Sequence, residues 1–99
     1  MRKRLHARES VNASRVVTIV NEMGLHARPA AELVRRANAF RSEIWFVTAT
    51  GRFSVLSLLE VMRANLDRGA VAKLEAVGPD AEEAVERLAR VLQELGDRF

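Results

Sequence analysis

Gly24-Leu25-His26-Ala27-Arg28-Pro29-Ala30-Ala31 marks the point where a loop gives way to a helix. Pro29 fixes φ and lacks an N–H, so it is tolerated in the first turn of a helix and little further in. Beyond it, apolar residues fall at Ala30, Leu33, Val34, Ala37 and Phe40, while Glu32, Arg35, Arg36 and Asn38 take the other side. This i, i+3, i+4, i+7 spacing predicts a one-faced helix that starts at the proline turn and ends near Phe40. His26 and Arg28 then sit at its mouth.

That position has chemical consequences. The first turn of a helix leaves backbone N–H groups unpaired and carries a partial positive charge, which makes it a ready anion site. The same potential keeps a lone pair on the His26 ring free to attack. A transferred phosphoryl group would meet the unpaired amides and the Arg28 guanidinium, so the site suits phosphoryl transfer. A plainer reading fits the bare string equally well: His26 caps or packs the helix, and Arg28 is a solvated charge.

The rest of the chain organises itself around that helix. Residues 16 to 20, Val-Val-Thr-Ile-Val, form a β-branched run of strand length, with Val17 and Ile19 on one face and Thr18 and Val20 on the other. Residues 21 to 24 turn into the helix. A second strand follows over residues 43 to 48, with Ile44 and Phe46 opposite Trp45 and Val47, and Gly51-Arg52 suits a hairpin turn before a short third strand at residues 53 to 55. A short second helix over residues 57 to 64 takes Ser57 as N-cap and has Leu58, Val61 and Met62 at helical spacing. Asn65 suits the left-handed conformation that ends helices. Residues 70 to 77 alternate as a fourth strand, with Ala72, Leu74 and Ala76 on one face. Asp80, with Glu83 three residues on, reads as the cap of a last helix whose apolar face is Ala81, Ala84, Val85, Leu88, Val91, Leu92 and Leu95, stopped by Gly96.

The order β-α-β-β-α-β-α asks three helices to bury one face each against one side of a sheet. The expected fold is therefore α/β, an open-faced β-sandwich with a four-stranded, mainly antiparallel sheet and three helices on one face. Its outward sheet face would carry Trp45, Val47, Val71 and Val77, more apolar than a solvated face should be. The N-terminal tail or a second subunit is expected to cover it; the oligomeric state stays open.

Composition narrows the function. The chain has 99 residues, enough for one domain, and 48% of them are hydrophobic, enough for a single modest core. It has no cysteine, which removes disulfides and thiolate metal sites and fits a reducing, cytoplasmic setting. Two histidines twenty residues apart make no metal site, and no cofactor is called for. No apolar run approaches the length of a membrane span. The net charge of +3 invites a nucleic-acid reading, but residues 1 to 15 alone carry Arg2, Lys3, Arg4, Arg8 and Arg15 against Glu9. The remaining 11 basic and 12 acidic side chains nearly cancel. Residues 1–14 therefore read as a basic, mobile extension and residues 15–99 as the domain. Within the extension, Leu5-His6-Ala7-Arg8 repeats the tetrapeptide around His26 without its glycine or proline, a chance repeat rather than a second site. Ferredoxin-like nucleic-acid modules share the βαββαβ order, but only Trp45 and Phe53 are available as stacking aromatics and no RNA-recognition motif is present.

Gly24-Leu25-His26-Ala27-Arg28-Pro29-Ala30-Ala31-Glu32-Leu33-Val34 resembles the active-site signature of the histidine-containing phosphocarrier protein (HPr) family of the bacterial phosphoenolpyruvate-dependent phosphotransferase system. Similarity extends to Phe40-Arg41-Ser42-Glu43-Ile44, to Ser57-Leu58-Leu59-Glu60-Val61-Met62 and to Gly78-Pro79-Asp80-Ala81-Glu82-Glu83-Ala84, so that it spans Arg15 to Leu95. The resemblance implies the spatial strand order 1-4-2-3. It also implies a carrier with a covalent phosphohistidine rather than a free-standing enzyme. His26 would accept a phosphoryl group on Nδ1 from enzyme I and give it to IIA-type domains in sugar transport, with Arg28 stabilising the phosphoryl oxygens. A regulatory paralogue that binds partners according to its phosphorylation state needs the same histidine.

Leu58, Leu59 and Met62 match the family's partner-docking positions, although at helical spacing they are not all expected to point outward, and Leu58 is expected to be partly buried. Ser57 matches a serine that a dedicated kinase phosphorylates in some bacteria. Many members have lysine before that serine and glycine three residues after it, where this chain has Leu56 and Glu60. Glu60 would oppose an added phosphate, so the helix-cap reading of Ser57 is preferred.

Overall fold

A computed structural model describes residues 11–99. The repeat at Leu5-His6-Ala7-Arg8 and residues 1–10 of the basic extension lie outside the described residues. The elements run β1 (Val11–Thr18), α1 (Ala27–Ala37), β2 (Glu43–Thr48), β3 (Gly51–Ser54), α2 (Leu58–Arg63), β4 (Val71–Gly78) and α3 (Ala81–Arg98). The four strands form one sheet in the order β1-β4-β2-β3, and every neighbouring pair is antiparallel. The three helices cover one face, giving the open-faced α/β sandwich that the pattern of elements predicts.

Alternation along the strands sets which side is dry. Val17, Ile44, Phe46, Phe53, Ala72, Leu74 and Ala76 point to the helices and are buried. α3 lies across β1 and β4 and supplies Ala84, Leu88, Leu92 and Leu95, while α1 adds Ala30, Leu33 and Ala37. Ala72 and Ala76 on the central strand β4 leave room for α3 to approach. Full burial of one leucine such as Leu88 contributes about 2 kcal/mol, so this apolar layer is the main source of stability.

β1 starts at Val11, five residues before the expected run, and ends at Thr18. Asn12, Ala13 and Ser14 have weak strand propensity, but the antiparallel ladder pairs Val11 with Gly78 and continues unbroken to Thr18 opposite Val71. The partner's length, not local preference, fixes the strand. Residues 11–14, read from sequence as part of the extension, are thereby paired to the sheet. The β2–β3 turn also shifts: Thr48 pairs with Gly51, so the two turn residues are Ala49 and Thr50, where Gly51-Arg52 was expected. The Thr48 hydroxyl accepts from Thr50 N at 3.1 Å and closes that turn.

The outward sheet face is covered in part by the chain itself. Trp45 is half-buried because the Arg52 guanidinium lies 3.8 Å from its ring centroid. Arg52 and Lys73 share Glu75 at 3.6 and 3.1 Å, and their stems screen the strands. Val16 and Val71 stay 65% and 60% exposed.

The helix ends differ from the sequence reading in three places. α1 stops at Ala37 rather than near Phe40, because Asn38 Nδ2 donates to Val34 O at 2.8 Å and to Leu56 O at 3.1 Å, closing the last turn on itself. Gly96 does not stop α3, which continues to Arg98; a Cβ there would lie 2.3 Å from Val20 Cγ2, so the glycine serves close packing against β1's exit. Asp80 stands at the start of α3 but makes no side-chain cap. Its carboxylate instead accepts from Arg41 N at 2.9 Å and Ser42 Oγ at 2.6 Å, which locks the turn before β2 to the turn after β4. Two other expectations hold: Ser57 Oγ caps α2 by accepting from Glu60 N at 3.3 Å, and Asn65 adopts φ 52°.

Burial works against the Asp80 charge, but the hydrogen bonds from Ser42 and from Arg41 N outweigh it and hold the carboxyl below the usual aspartate value. A lowered folded pKa adds stability that is complete above the unfolded pKa and is lost as pH falls through the folded one. Asp80→Ala should therefore cost about 1–3 kcal/mol at neutral pH, from lost charge-assisted hydrogen bonds and a buried Ser42 hydroxyl left unpaired. In urea denaturation the gap between wild type and variant should narrow as pH falls below the ordinary aspartate range. A gap independent of pH would contradict this role.

Candidate phosphoryl-transfer site

Three long-range contacts place the segment before α1. Asn21 is fully buried, and its Nδ2 donates to Leu95 O of α3 at 3.1 Å. Leu25 N donates to Leu66 O at 2.8 Å, and Gly69 N to Ile19 O at 2.8 Å, which ties the segment to the loop between α2 and β4. Gly24, at φ 73°, lets the chain turn between these ties, and a Cβ there would stand 2.8 Å from Leu66 O. The buried Leu25 side chain then anchors the last residue before His26.

His26 occupies the N-cap position with extended backbone, φ −80° and ψ −173°, and its carbonyl accepts from Ala30 N at 2.9 Å. Its side chain makes no cap hydrogen bond, so the reading of His26 as a capping residue fails. Pro29 is the third residue of α1 and brings no N–H, which leaves the Ala27 and Arg28 amides as the unpaired donors of the first turn. No acidic side chain lies in that turn to neutralise them.

The imidazole is half-buried, and its two nitrogens are not equivalent. Nε2 is enclosed without a hydrogen-bond partner, whereas Nδ1 is not enclosed in this way. Beside the ring lies a shallow hollow of about 190 Å³, lined by Met23, Leu25, His26, Met62, Asn65, Leu66 and Asp67. At roughly 30 Å³ per water in the liquid, it has room for an oxyanion group. Larger hollows of about 270 and 310 Å³ lie on the outer sheet face and between α1 and α3, and neither includes His26.

Arg28 follows His26 by two residues on the same turn, but no hydrogen bond joins the two side chains among the described residues. The exposed guanidinium instead lies 5.2 Å from the centroid of the Phe99 ring. Sequence reasoning had no signal for that contact, since it joins the start of one helix to the end of another.

Leu58, Leu59 and Met62 are 40%, 71% and 40% exposed, so all three present apolar surface, contrary to the expectation from helical spacing. α2 has six residues and buries only Val61 of them, so it meets the core along a line too narrow to take a second side chain. Leu58, expected to be partly buried, is as exposed as Met62. Met23, 76% exposed and lining the same hollow as His26 and Met62, was missed; an apolar residue in the turn before the histidine was the available signal. Ser57 Oγ is engaged in its cap, and the adjacent Glu60 is paired with Arg63 at 3.0 Å. No helix of the described residues is long and apolar enough to cross a membrane.

The family model described as PTS HPr component phosphorylation site matches residues 13–94. The phosphocarrier protein HPr of Vibrio cholerae serotype O1 is 42% identical over 80 residues, covering 80% of this chain and 93% of that protein. That of Lysinibacillus sphaericus is 38% identical over 79 residues, covering 80% and 90%. Among solved structures, HPr-C-His from Thermoanaerobacter tengcongensis superposes with a TM-score of 0.81 at 34% identity, covering 86% of this chain and 96% of that one. With the sheet order, the histidine at the helix mouth and this similarity in agreement, the chain belongs to the HPr family of phosphotransferase-system phosphocarriers.

Proposed function

We propose that this protein carries a phosphoryl group on His26, accepting it from enzyme I and passing it to IIA-type domains in sugar transport, in the cytoplasm. The observation that carries the reading is the asymmetry of the imidazole: Nε2 is enclosed without a partner while Nδ1 is not, on a residue that stands at the N-cap of α1 and lines an open hollow. Nδ1 is then the nitrogen that an incoming phosphorus can reach.

In the forward step the Nδ1 lone pair attacks phosphorus. The N–P bond forms as the bond from phosphorus to the donor group breaks, with its electron pair staying on the donor, and the ring proton remains on Nε2. Transfer to the acceptor reverses this with a new nucleophile. Such in-line transfer asks for positioning and charge stabilisation more than for covalent help from the protein. The Ala27 and Arg28 amides and the positive end of α1 supply fixed partial charge, and the Arg28 guanidinium supplies a full one. A shallow site suits a carrier, because the same phosphohistidine must meet a donor and an acceptor in turn.

The exposed side chains of Leu58, Leu59 and Met62, with Met23 added, form an apolar rim beside His26 on which both partners dock. Ser57 serves as the cap of α2 and not as a regulatory phosphorylation site in this reading.

Incubation with enzyme I and phosphoenolpyruvate should give one acid-labile phosphoryl adduct by intact mass, absent from His26→Ala. Labelling that survives the substitution would move the site to His6 or elsewhere and contradict the proposal. Arg28→Ala should keep its thermal midpoint, since an exposed charge rarely stabilises a fold by more than about 1 kcal/mol, while transfer slows. An unfolded Arg28→Ala variant, or one with unchanged transfer rates, would contradict the assigned role.

A further inference from the structure

Among the described residues, methionine is used in one place. The chain has three methionines, of which Met23 and Met62 are described, and neither belongs to the core, whose apolar side chains are leucine, isoleucine, valine, phenylalanine and alanine. One lies in the turn before α1 and the other in α2, yet both line the hollow of about 190 Å³ that includes His26. They are 76% and 40% exposed. A methionine kept as a gap-filler would be enclosed, whereas these two are open to solvent beside the reacting ring. Apolar surface alone does not require sulfur there, since Leu58 and Leu59 supply it on the same rim. The chain has no cysteine, so its thioethers are the sulfur groups through which an oxidant can act on it.

We infer that Met23 and Met62 form a reversible oxidation site, at which a peroxide converts the apolar rim beside His26 to a polar one and slows phosphoryl transfer. This inference rests on the phosphocarrier reading above. In the oxidation a sulfur lone pair attacks one peroxide oxygen. The S–O bond forms as the O–O bond breaks, and the departing hydroxide takes up a proton and leaves as water; sulfur loses two electrons and the peroxide gains them. Methionine sulfoxide reductase reverses the step, with a dithiol giving up the two electrons to become a disulfide and the oxygen leaving as water. The more exposed Met23 reacts first. Each sulfoxide oxygen is a strong acceptor on a surface that was apolar. When enzyme I or a IIA-type domain closes over the rim, that oxygen loses its water and meets apolar side chains, which is unfavourable. Docking weakens, while His26, Arg28 and the amides of α1 are chemically unchanged.

The test treats the full chain with hydrogen peroxide, locates the added oxygens by peptide mass, and measures kcat/KM for phosphorylation by enzyme I before and after. Once both Met23 and Met62 carry oxygen, kcat/KM should fall by roughly tenfold, and methionine sulfoxide reductase should restore it. The thermal midpoint should not move, because both side chains lie on the surface. The double variant Met23→Leu, Met62→Leu keeps Met1 and Trp45 and is compared only with its own untreated rate, which peroxide should leave unaltered. Undiminished transfer by the doubly oxidised wild type, a loss that the reductase does not repair, a loss that accompanies unfolding, or an equal loss in the double variant would each overturn the oxidation site. An untreated wild-type chain that takes up no phosphoryl group would instead defeat the phosphocarrier reading, and this role with it.

Discussion

The tether between the segment before α1 and the two loops around it is the constraint on which the rest depends. Asn21 reaches into α3 through Leu95 O, and Leu25 N reaches across to Leu66 O. Together they hold His26 at the end of α1 whatever the exposed surface around it does. The tether has a cost, because Asn21 Oδ1 is buried with no partner, and a buried unpaired acceptor costs on the order of 1–3 kcal/mol. The apolar layer around Leu33, Leu74 and Leu88 offsets it. What the cost secures is geometry: a ring with Nε2 enclosed and Nδ1 not, held at the amino end of α1, where the first amides have no side-chain cap.

The open-faced architecture serves the same end. A sheet covered on one side leaves the ends of its helices at the rim, and α1 presents its amino end there rather than in a pocket. α2 is so short that it buries one residue and leaves three apolar ones outside. In a purely structural element that would be a fault; beside a residue that has to meet other proteins it is a docking surface. The outer sheet face solves its exposure differently, with Arg52 laid over Trp45 and tied to Glu75.

Much of this was legible in the chain. The Pro29 turn, the period of α1 and α3, the alternation of β2 and β4, the Ser57 cap and the Asn65 turn are all local, and local signals survive folding. The β2–β3 turn was decided locally, by the Thr48 hydroxyl, but four other outcomes were decided by residues distant in sequence. β1 was extended by its partner β4, Gly96 was required by Val20, Asp80 was recruited by Arg41 and Ser42, and Arg28 was drawn to Phe99. The candidate histidine could be found from its helix mouth alone. Which of its nitrogens is open, and where its arginine rests, depend on tertiary contacts that no window of sequence contains.

The central claim, that the fold leaves Nδ1 of His26 as the reachable nucleophile, is tested most directly on the phosphorylated protein with ¹⁵N-labelled histidine. Long-range proton–nitrogen correlation spectra with phosphorus coupling identify the nitrogen that bears the phosphoryl group. The account predicts that this is Nδ1. Phosphorus coupled to Nε2, the nitrogen enclosed in the structure, would contradict it.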